Sequence, residues 1–397
     1  MKVLQINTVY DTGSTGRIVS QLKHLVEETG GECMAAYGRG SSMEDNTYKI
    51  GSVPDRYYHA LMTRLMDRTG FYSKRRTYQL INEIRAFEPD VIHLHNLHGY
   101  YLNIEILFDF LKKSQKPVVW TLHDTWAYTG HCASYAGVKC DQWKTHCMHC
   151  VKQKEYPASR FSDNSQENFD RKRKAFTEVP NMRIITPSHW LAREVKQSFL
   201  RDYCVQVIPN GIDTNVFRPV EGNVREKWNL GDKDILLGVA SRWTERKGLQ
   251  DFRALSSMVD NRYIVILVGL TDKDMVNLPK NIIGIPRTED MQELAQLYSR
   301  ALAFVNLTYE DNFPTVNLEA LSCGTPVITY RTGGSPEAID EKTGLCVEVG
   351  DVQAVADSLE KIRILSRENC RQRGMTFDKA RCFREYIKIY EQMMNEQ

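Results

Sequence analysis

Short apolar runs alternate with amphipathic stretches along nearly the whole chain, and polar turns separate them. "KVLQINTV" (2–9) reads as a strand, "YDTGSTG" (10–16) as a turn, and "RIVSQLKHLVEETGG" (17–31) as a helix. In that helix Ile18, Val19, Leu22, Leu25 and Val26 recur at helical spacing, and the two glycines at its end supply the stop. "ECMAAYG" (32–38), "PDVIHLHNL" (89–97), "PVVWTLHD" (117–124) and "MRIITPS" (182–188) follow as strands, with helices over 77–87 and 103–114. The second half repeats the rhythm with "VQVIPNG" (205–211), "DILLGVA" (234–240), "YIVILVG" (263–269), "NIIGI" (281–285), "ALAFVNL" (301–307), "TPVITY" (325–330) and "TGLCVEV" (343–349). Strands alternating with helices predict parallel, doubly wound sheets.

A chain of 397 residues exceeds one hydrophobic core, so two such domains in series are expected, with a hinge near 205–215. The expected division is 1–205, 206–376, and a last amphipathic helix within 377–397 that packs back on the first domain. The longest apolar runs, such as "YIVILVGL" (263–270), fall far short of the roughly 20 residues of a membrane-spanning helix. "MKVLQINTVY" carries no secretory pattern, so a cytoplasmic location is expected. Net charge is only +2, with the basic excess in the first half. That suits a membrane surface or a phosphorylated acceptor; ordinary surface variation is the alternative.

Chemistry enters where apolar runs end. "SRWTERKG" (241–248) follows "ILLGVA" and sets Arg242 and Lys247 at a strand-to-helix junction, where cations can hold an anion. "EDNFPTVNLEALSCGTPV" (310–327) opens a helix near Pro314. The free amides of Thr315 and Val316 there suit a phosphate. Glu319, one turn on, would repel phosphate but accept hydrogen bonds from sugar hydroxyls. Diphosphate at cations and helix start, with ribose at the carboxylate, describes a nucleotide sugar.

With "GSTG" (13–16), "TLHD" (121–124), "PNGID" (209–213) and "GGSPE" (333–337), these elements resemble the retaining glycosyltransferases of family 4 over nearly the whole chain. The resemblance implies an α/β GT-B fold, two Rossmann-like doubly wound domains facing across a cleft, and metal-independent sugar transfer from a UDP- or GDP-sugar. It gives the acceptor to the first domain and the nucleotide sugar to the second. It makes Arg242 and Lys247 the diphosphate ligands, with Phe313, Pro314, Thr315 and Val316 around them, and Glu319 the ribose ligand. The first carboxylate of the family's Glu-x7-Glu motif falls on Asp311, with Glu310 one place earlier as the competing assignment. His123 matches an active-site histidine beside the donor sugar, and Gly13 and Gly16 match the glycine loop. Glu337 is a weak member of the set.

Trp126 and Tyr128, just after His123, are candidate acceptor-binding aromatics or packing residues. "SKRRTY" (73–78) and "RKRK" (171–174) are candidate contacts with a membrane carrying a lipid-linked acceptor, or solvated charge. Cys132, Cys140, Cys147 and Cys150 lie close in sequence, and the last two form C-x2-C. That spacing suits a structural zinc ion, with His131, His146 and His149 in reserve; free thiols or a disulfide are the alternatives. The expected function is transfer of a sugar to a saccharide or lipid-linked saccharide in surface-polysaccharide assembly, at the inner face of the cell membrane. A GT-B epimerase or phosphorylase is the alternative within enzymes. A zinc-containing nucleic-acid-binding protein is the alternative outside them, disfavoured by the near-neutral charge.

Overall fold

The computed structural model describes residues 1–396 and divides into two compact units, Met1–Ile208 together with the residues from Phe383 on, and Pro209–Cys382. Strands β1 (Lys2–Val9), β2 (Glu32–Arg39), β3 (Thr47–Lys49), β4 (Val91–Leu94), β5 (Val118–Thr121), β6 (Met182–Thr186) and β7 (Cys204–Val207) belong to the first. Strands β8 (Asp234–Val239), β9 (Tyr263–Val268), β10 (Ile282–Ile285), β11 (Ala303–Asn306), β12 (Val327–Tyr330) and β13 (Gly344–Val347) belong to the second.

The sheet orders are β3-β2-β1-β4-β5-β6-β7 and β10-β9-β8-β11-β12-β13, with every pairing parallel. A parallel sheet buried on both faces needs apolar residues on both, and β9 supplies them. Ile264, Ile266 and Val268 join one core cluster; Tyr263, Val265 and Leu267 join the other. Strand order reverses direction beside β1 and β4 in one sheet and beside β8 and β11 in the other. Ligands of such sheets bind outside the carboxyl ends of the strands at these reversals.

Three elements differ from the sequence reading. Cys204–Val207, read as opening the second half, pairs with β6 and closes the first sheet. The first helix starts at Gly13, so the glycine loop is its first turn. A helix over Val53–Met66 lacks a core-facing apolar stripe: it buries only His59 and Thr63, and leaves Val53, Tyr57, Tyr58, Leu61, Leu65 and Met66 exposed. The last helix, Lys379–Asn395, sets Tyr390 against the first sheet, its hydroxyl 2.6 Å from His93 Nδ1.

Candidate functional site

In the second unit, the loops after β8 and β11 meet at the strand-order reversal. Trp243 anchors the first loop: it is buried, its Nε1 donates to Val268 O at 3.0 Å, and its ring meets Phe252 edge-on at 5.3 Å. A single 3-10 turn, Glu245–Lys247, and then Gly248 lead into the helix Leu249–Met258. Three contacts join the loops. Tyr309 N donates to Arg246 O at 2.9 Å, Arg246 Nη1 to Glu310 O at 3.2 Å, and Lys247 Nζ to Asp311 Oδ2 at 2.9 Å. Gly248 permits this approach: its φ is +75°, and a Cβ there would stand 2.3 Å from Leu307 O. Gly333 does the same for "GGSPE", because its φ is +52° and a Cβ would lie 1.8 Å from Asp311 O.

Each side chain of the Lys247–Asp311 pair is 23% exposed. An ion pair this open to water contributes about 1 kcal/mol or less, so a ligand of higher charge can displace it. Four residues after Asp311 the helix Thr315–Ser322 begins. Pro314 is its N-cap rather than its first residue, and no side chain caps the amides there. Phe313 is buried against Phe377, and its carbonyl accepts from Asn210 Nδ2 at 2.9 Å. Thr315 and Val316 are half-buried. Glu319 is buried, with Oε2 accepting from Tyr298 OH at 3.0 Å. Glu310 is buried beside Asp311, which carries the bond to Lys247. Arg242 is exposed and helps to hold the Asp274 carboxyl below its ordinary range, after the larger effect of the Thr271 bonds. The structure therefore brings Lys247, Asp311 and the helix start together, and leaves Arg242 exposed, with its charge acting on Asp274.

Asp-x-Asp spacing occurs twice, at Asp232–Asp234 and Asp272–Asp274. Asp234 pairs with Arg363 at 2.5 Å, and Asp274 completes a capping box with Thr271, so one member of each pair already has a structural partner.

The first unit has its own cluster at its strand-order reversal. His123 follows β5 and is half-buried; burial pulls its pKa down to about 4 against a smaller opposing effect of Asp124. Its Nε2 lies 3.1 Å from His95 Nδ1, and His95 Nε2 lies 3.1 Å from Gln5 Oε1. The rings of His93 and His95 stand 4.0 Å apart, and burial pulls both pKa values well down. Asp124 bonds His98 Nε2 at 2.6 Å. Sequence reasoning missed His95, His98, Asp124 and Gln5. The signal was "HLHNLH", where histidines two apart on an extended chain share one face. At Gly16 the helix approaches the end of β1: Asp11 N donates to Gly16 O at 3.0 Å, and a Cβ would lie 3.2 Å from Val9 Cγ2. Gly13 has φ +66°.

The proposed acceptor aromatics are corrected. Trp126 and Tyr128 are buried at 2% and 0% exposure, Trp126 against His98 and Phe176, Tyr128 against Trp143 and Tyr135. Their ring faces meet protein. In "RKRK", Arg173 and Lys174 are exposed, whereas Arg171 and Lys172 are engaged within the protein. Arg171 pairs with Glu105 at 2.7 Å, and buried Lys172 donates to Trp126 O and Thr129 O while lying 3.5 Å from the Trp126 ring centroid. In "SKRRTY", Lys74, Arg75 and Tyr78 are exposed, whereas Arg76 pairs with Asp55 and Thr77 is buried.

The four clustered cysteines, with His131 and His149, line one small cavity of about 30 Å³. Cys147 Sγ accepts from Gly130 N at 3.2 Å, and the Cys132 thiol bonds the Cys150 sulfur, holding Cys150 below its ordinary range. His131 Nδ1 bonds Asp67, and its buried Nε2 has no hydrogen-bond partner. Among the described residues no three His, Cys, Asp or Glu are grouped so as to hold a metal ion. Nor is any helix among them long and apolar enough to cross a membrane.

Two all-parallel doubly wound units of seven and six strands are the architecture of the GT-B glycosyltransferases. The chain belongs to glycosyltransferase family 4, matching the family description "Glycosyltransferase Family 4" over residues 34–216 and "Glycosyl transferases group 1" over residues 220–375. It is 26% identical over 370 residues to the putative colanic acid biosynthesis glycosyl transferase WcaC of Escherichia coli, covering 89% of this chain and 88% of that one. It is 28% identical over 222 residues to the N-acetyl-alpha-D-glucosaminyl L-malate synthase of Bacillus anthracis, covering 54% and 56% of the two chains. Among solved structures, sucrose-phosphate synthase from Thermosynechococcus elongatus superposes with a TM-score of 0.75 at 18% identity over all of both chains. HepE from Anabaena in complex with UDP superposes with a TM-score of 0.70 at 13% identity over 99% of this chain and 100% of that one. The chain is a glycosyltransferase; the epimerase, phosphorylase and nucleic-acid readings find no support in these matches.

Proposed function

We propose that this glycosyltransferase moves a sugar from a UDP- or GDP-sugar to a saccharide or lipid-linked saccharide, with retention of anomeric configuration and no catalytic metal, in surface-polysaccharide biosynthesis. One observation carries the reading: Lys247, bonded to Asp311, stands at the β8/β11 reversal, and the uncapped helix start at Thr315 follows four residues later. A diphosphate carries more charge than one carboxylate and displaces Asp311 from Lys247. Asp311, or Glu310, is then released toward the donor sugar's hydroxyls. Arg242 joins from its exposed position, and Glu319 takes the ribose.

In the transfer, the anomeric carbon's bond to the diphosphate oxygen breaks, and its electron pair leaves with the phosphate. The acceptor oxygen bonds that carbon on the same face, and the acceptor's proton passes to a phosphate oxygen. Lys247 and the helix amides stabilise the charge that develops on the leaving group. They do electrostatic work that a cation would otherwise do, which supports metal-independent chemistry. Gly13 and Gly16 allow the backbone to approach donor and acceptor.

The colanic acid and capsular relatives support a surface-polysaccharide acceptor. The exposed apolar face of Val53–Met66, near in sequence to exposed Lys74 and Arg75, supports peripheral contact at the cytoplasmic face of a membrane. The test of the donor is a thermal-shift screen across UDP-, GDP- and ADP-sugars. Sugars of one base class raise the melting temperature by several degrees; no shift with any of them contradicts the reading.

A structural zinc ion belongs to the same reading, away from the reacting atoms. Four thiols around one cavity support it, as does an unpartnered imidazole nitrogen whose other nitrogen is held by a carboxylate. Zinc binding would draw the sulfurs together about the ion, with His131 available as a ligand. Elemental analysis of purified protein is expected to find about one zinc per chain, lost in Cys147→Ser. Metal-free wild type with full activity contradicts this part.

A further inference from the structure

His123 ends a hydrogen-bonded chain that runs through buried His95 to Gln5. Gln5 is fully buried in β1, and its amide nitrogen lies 3.0 Å from Val19 O and 3.4 Å from Cys33 Sγ. A carbonyl oxygen only accepts, so the Gln5 atom facing Val19 is the NH2 and the atom facing His95 is the carbonyl oxygen. That oxygen, 3.1 Å from His95 Nε2, also only accepts. His95 is neutral because burial disfavours its charged form, so it carries one proton. That proton must sit on Nε2, which leaves Nδ1 bare. The bare Nδ1 is 3.1 Å from His123 Nε2 and can only accept from it. Neutral His123 therefore carries its proton on Nε2 and presents Nδ1 as a lone pair.

We infer that Gln5 and His95 are positioning residues that lock His123 in the Nε2–H tautomer, in which its Nδ1 acts as a hydrogen-bond acceptor and not as a donor. The opposite tautomer would set two lone pairs against each other at the Gln5–His95 contact, deep in the unit. Losing one buried hydrogen bond disfavours it by about tenfold or more. The His93 ring stands 4.0 Å from that of His95, with Thr121 Oγ1 2.8 Å and Tyr390 OH 2.6 Å from its own nitrogens, so His93 is itself held in place beside the relay. A hydroxyl of the donor sugar or acceptor can donate to such a nitrogen; a carbonyl or phosphate oxygen cannot be held by it. The ligand consequence rests on the transferase reading, whereas the tautomer does not.

The test separates the two. The full chain is labelled with 15N-histidine, and long-range 1H–15N spectra are recorded near neutral pH, with the His123 signals assigned by their loss in His123→Asn. The expected pattern is a protonated Nε2 and an unprotonated Nδ1 for both His95 and His123. In Gln5→Met, which removes the acceptor at similar volume, the proton is expected to redistribute between the nitrogens of both rings. A wild-type His123 protonated on Nδ1 overturns the inference, as does an unchanged pattern in a folded Gln5→Met. The wild-type spectrum decides even if the variant does not fold. Failure of UDP- or GDP-sugars to bind would instead sink the transferase reading and leave the tautomer result standing.

Discussion

Lys247→Ala is expected to lower turnover by about 10²–10³-fold while the protein stays folded. Removing one preorganised charge aimed at developing negative charge costs on that order. The stability cost is small because both partners of the Lys247–Asp311 pair are partly open to water, and such pairs contribute about 1 kcal/mol or less. Two effects act in the same direction. The diphosphate loses a cation, and Asp311, no longer neutralised, repels what Lys247 attracted. Lys247→Arg restores charge but not the compact ammonium geometry, so partial recovery is expected. Steady-state kinetics on wild type and both variants, with melting curves to show that each is folded, check this. A Lys247→Ala enzyme within threefold of wild type would remove Lys247 from the transfer.

Gly248→Ala is expected to cost about 3 kcal/mol or more and to abolish activity. A non-glycine residue at φ +75° costs about 1–2 kcal/mol by itself. The added methyl would also stand 2.3 Å from Leu307 O, a backbone atom at the end of β11 that cannot swing away. The loop after β8 must then lift, and Lys247 lifts with it. For a unit of this size the loss corresponds to a melting temperature lower by roughly 6–12 °C. Gly231→Ala is the control: its φ is +57° but nothing lies within 4 Å of the added carbon, so only the backbone cost of about 1–2 kcal/mol applies. Equal melting temperatures for the two variants would show that the Leu307 contact is not tight.

The strands were legible because a sheet covered on both faces writes itself as a continuous apolar run, as "YIVILVG" does. The helix over Val53–Met66 was not, since its apolar residues face outward and its buried pair is His59 and Thr63. Periodicity reports a core-facing stripe, and this helix has none. β7 was assigned to the wrong sheet because a four-residue run specifies a strand but not its neighbour. Lys247 was legible from its place at the end of an apolar run and Asp311 from its match to the family's carboxylate motif, with Glu310 as the competing assignment; the bond between Lys247 and Asp311 was not legible. Trp126 and Tyr128 misled for a tertiary reason. An aromatic beside a histidine looks like a sugar platform until Lys172 and Phe176, some fifty residues on in the chain, are seen to cover it. The Gln5–His95–His123 chain joins residues from three strands' length of sequence, and no local pattern announces it.

Titration calorimetry with UDP and uridine, and with GDP and guanosine, isolates the diphosphate's share of binding. For the base the enzyme uses, the diphosphate is expected to bind at least about a hundredfold more tightly than its nucleoside, and Lys247→Ala to shrink that ratio by about tenfold or more. A ratio near one in wild type, or one that Lys247→Ala leaves intact, would place the diphosphate somewhere other than the β8/β11 reversal and contradict the account.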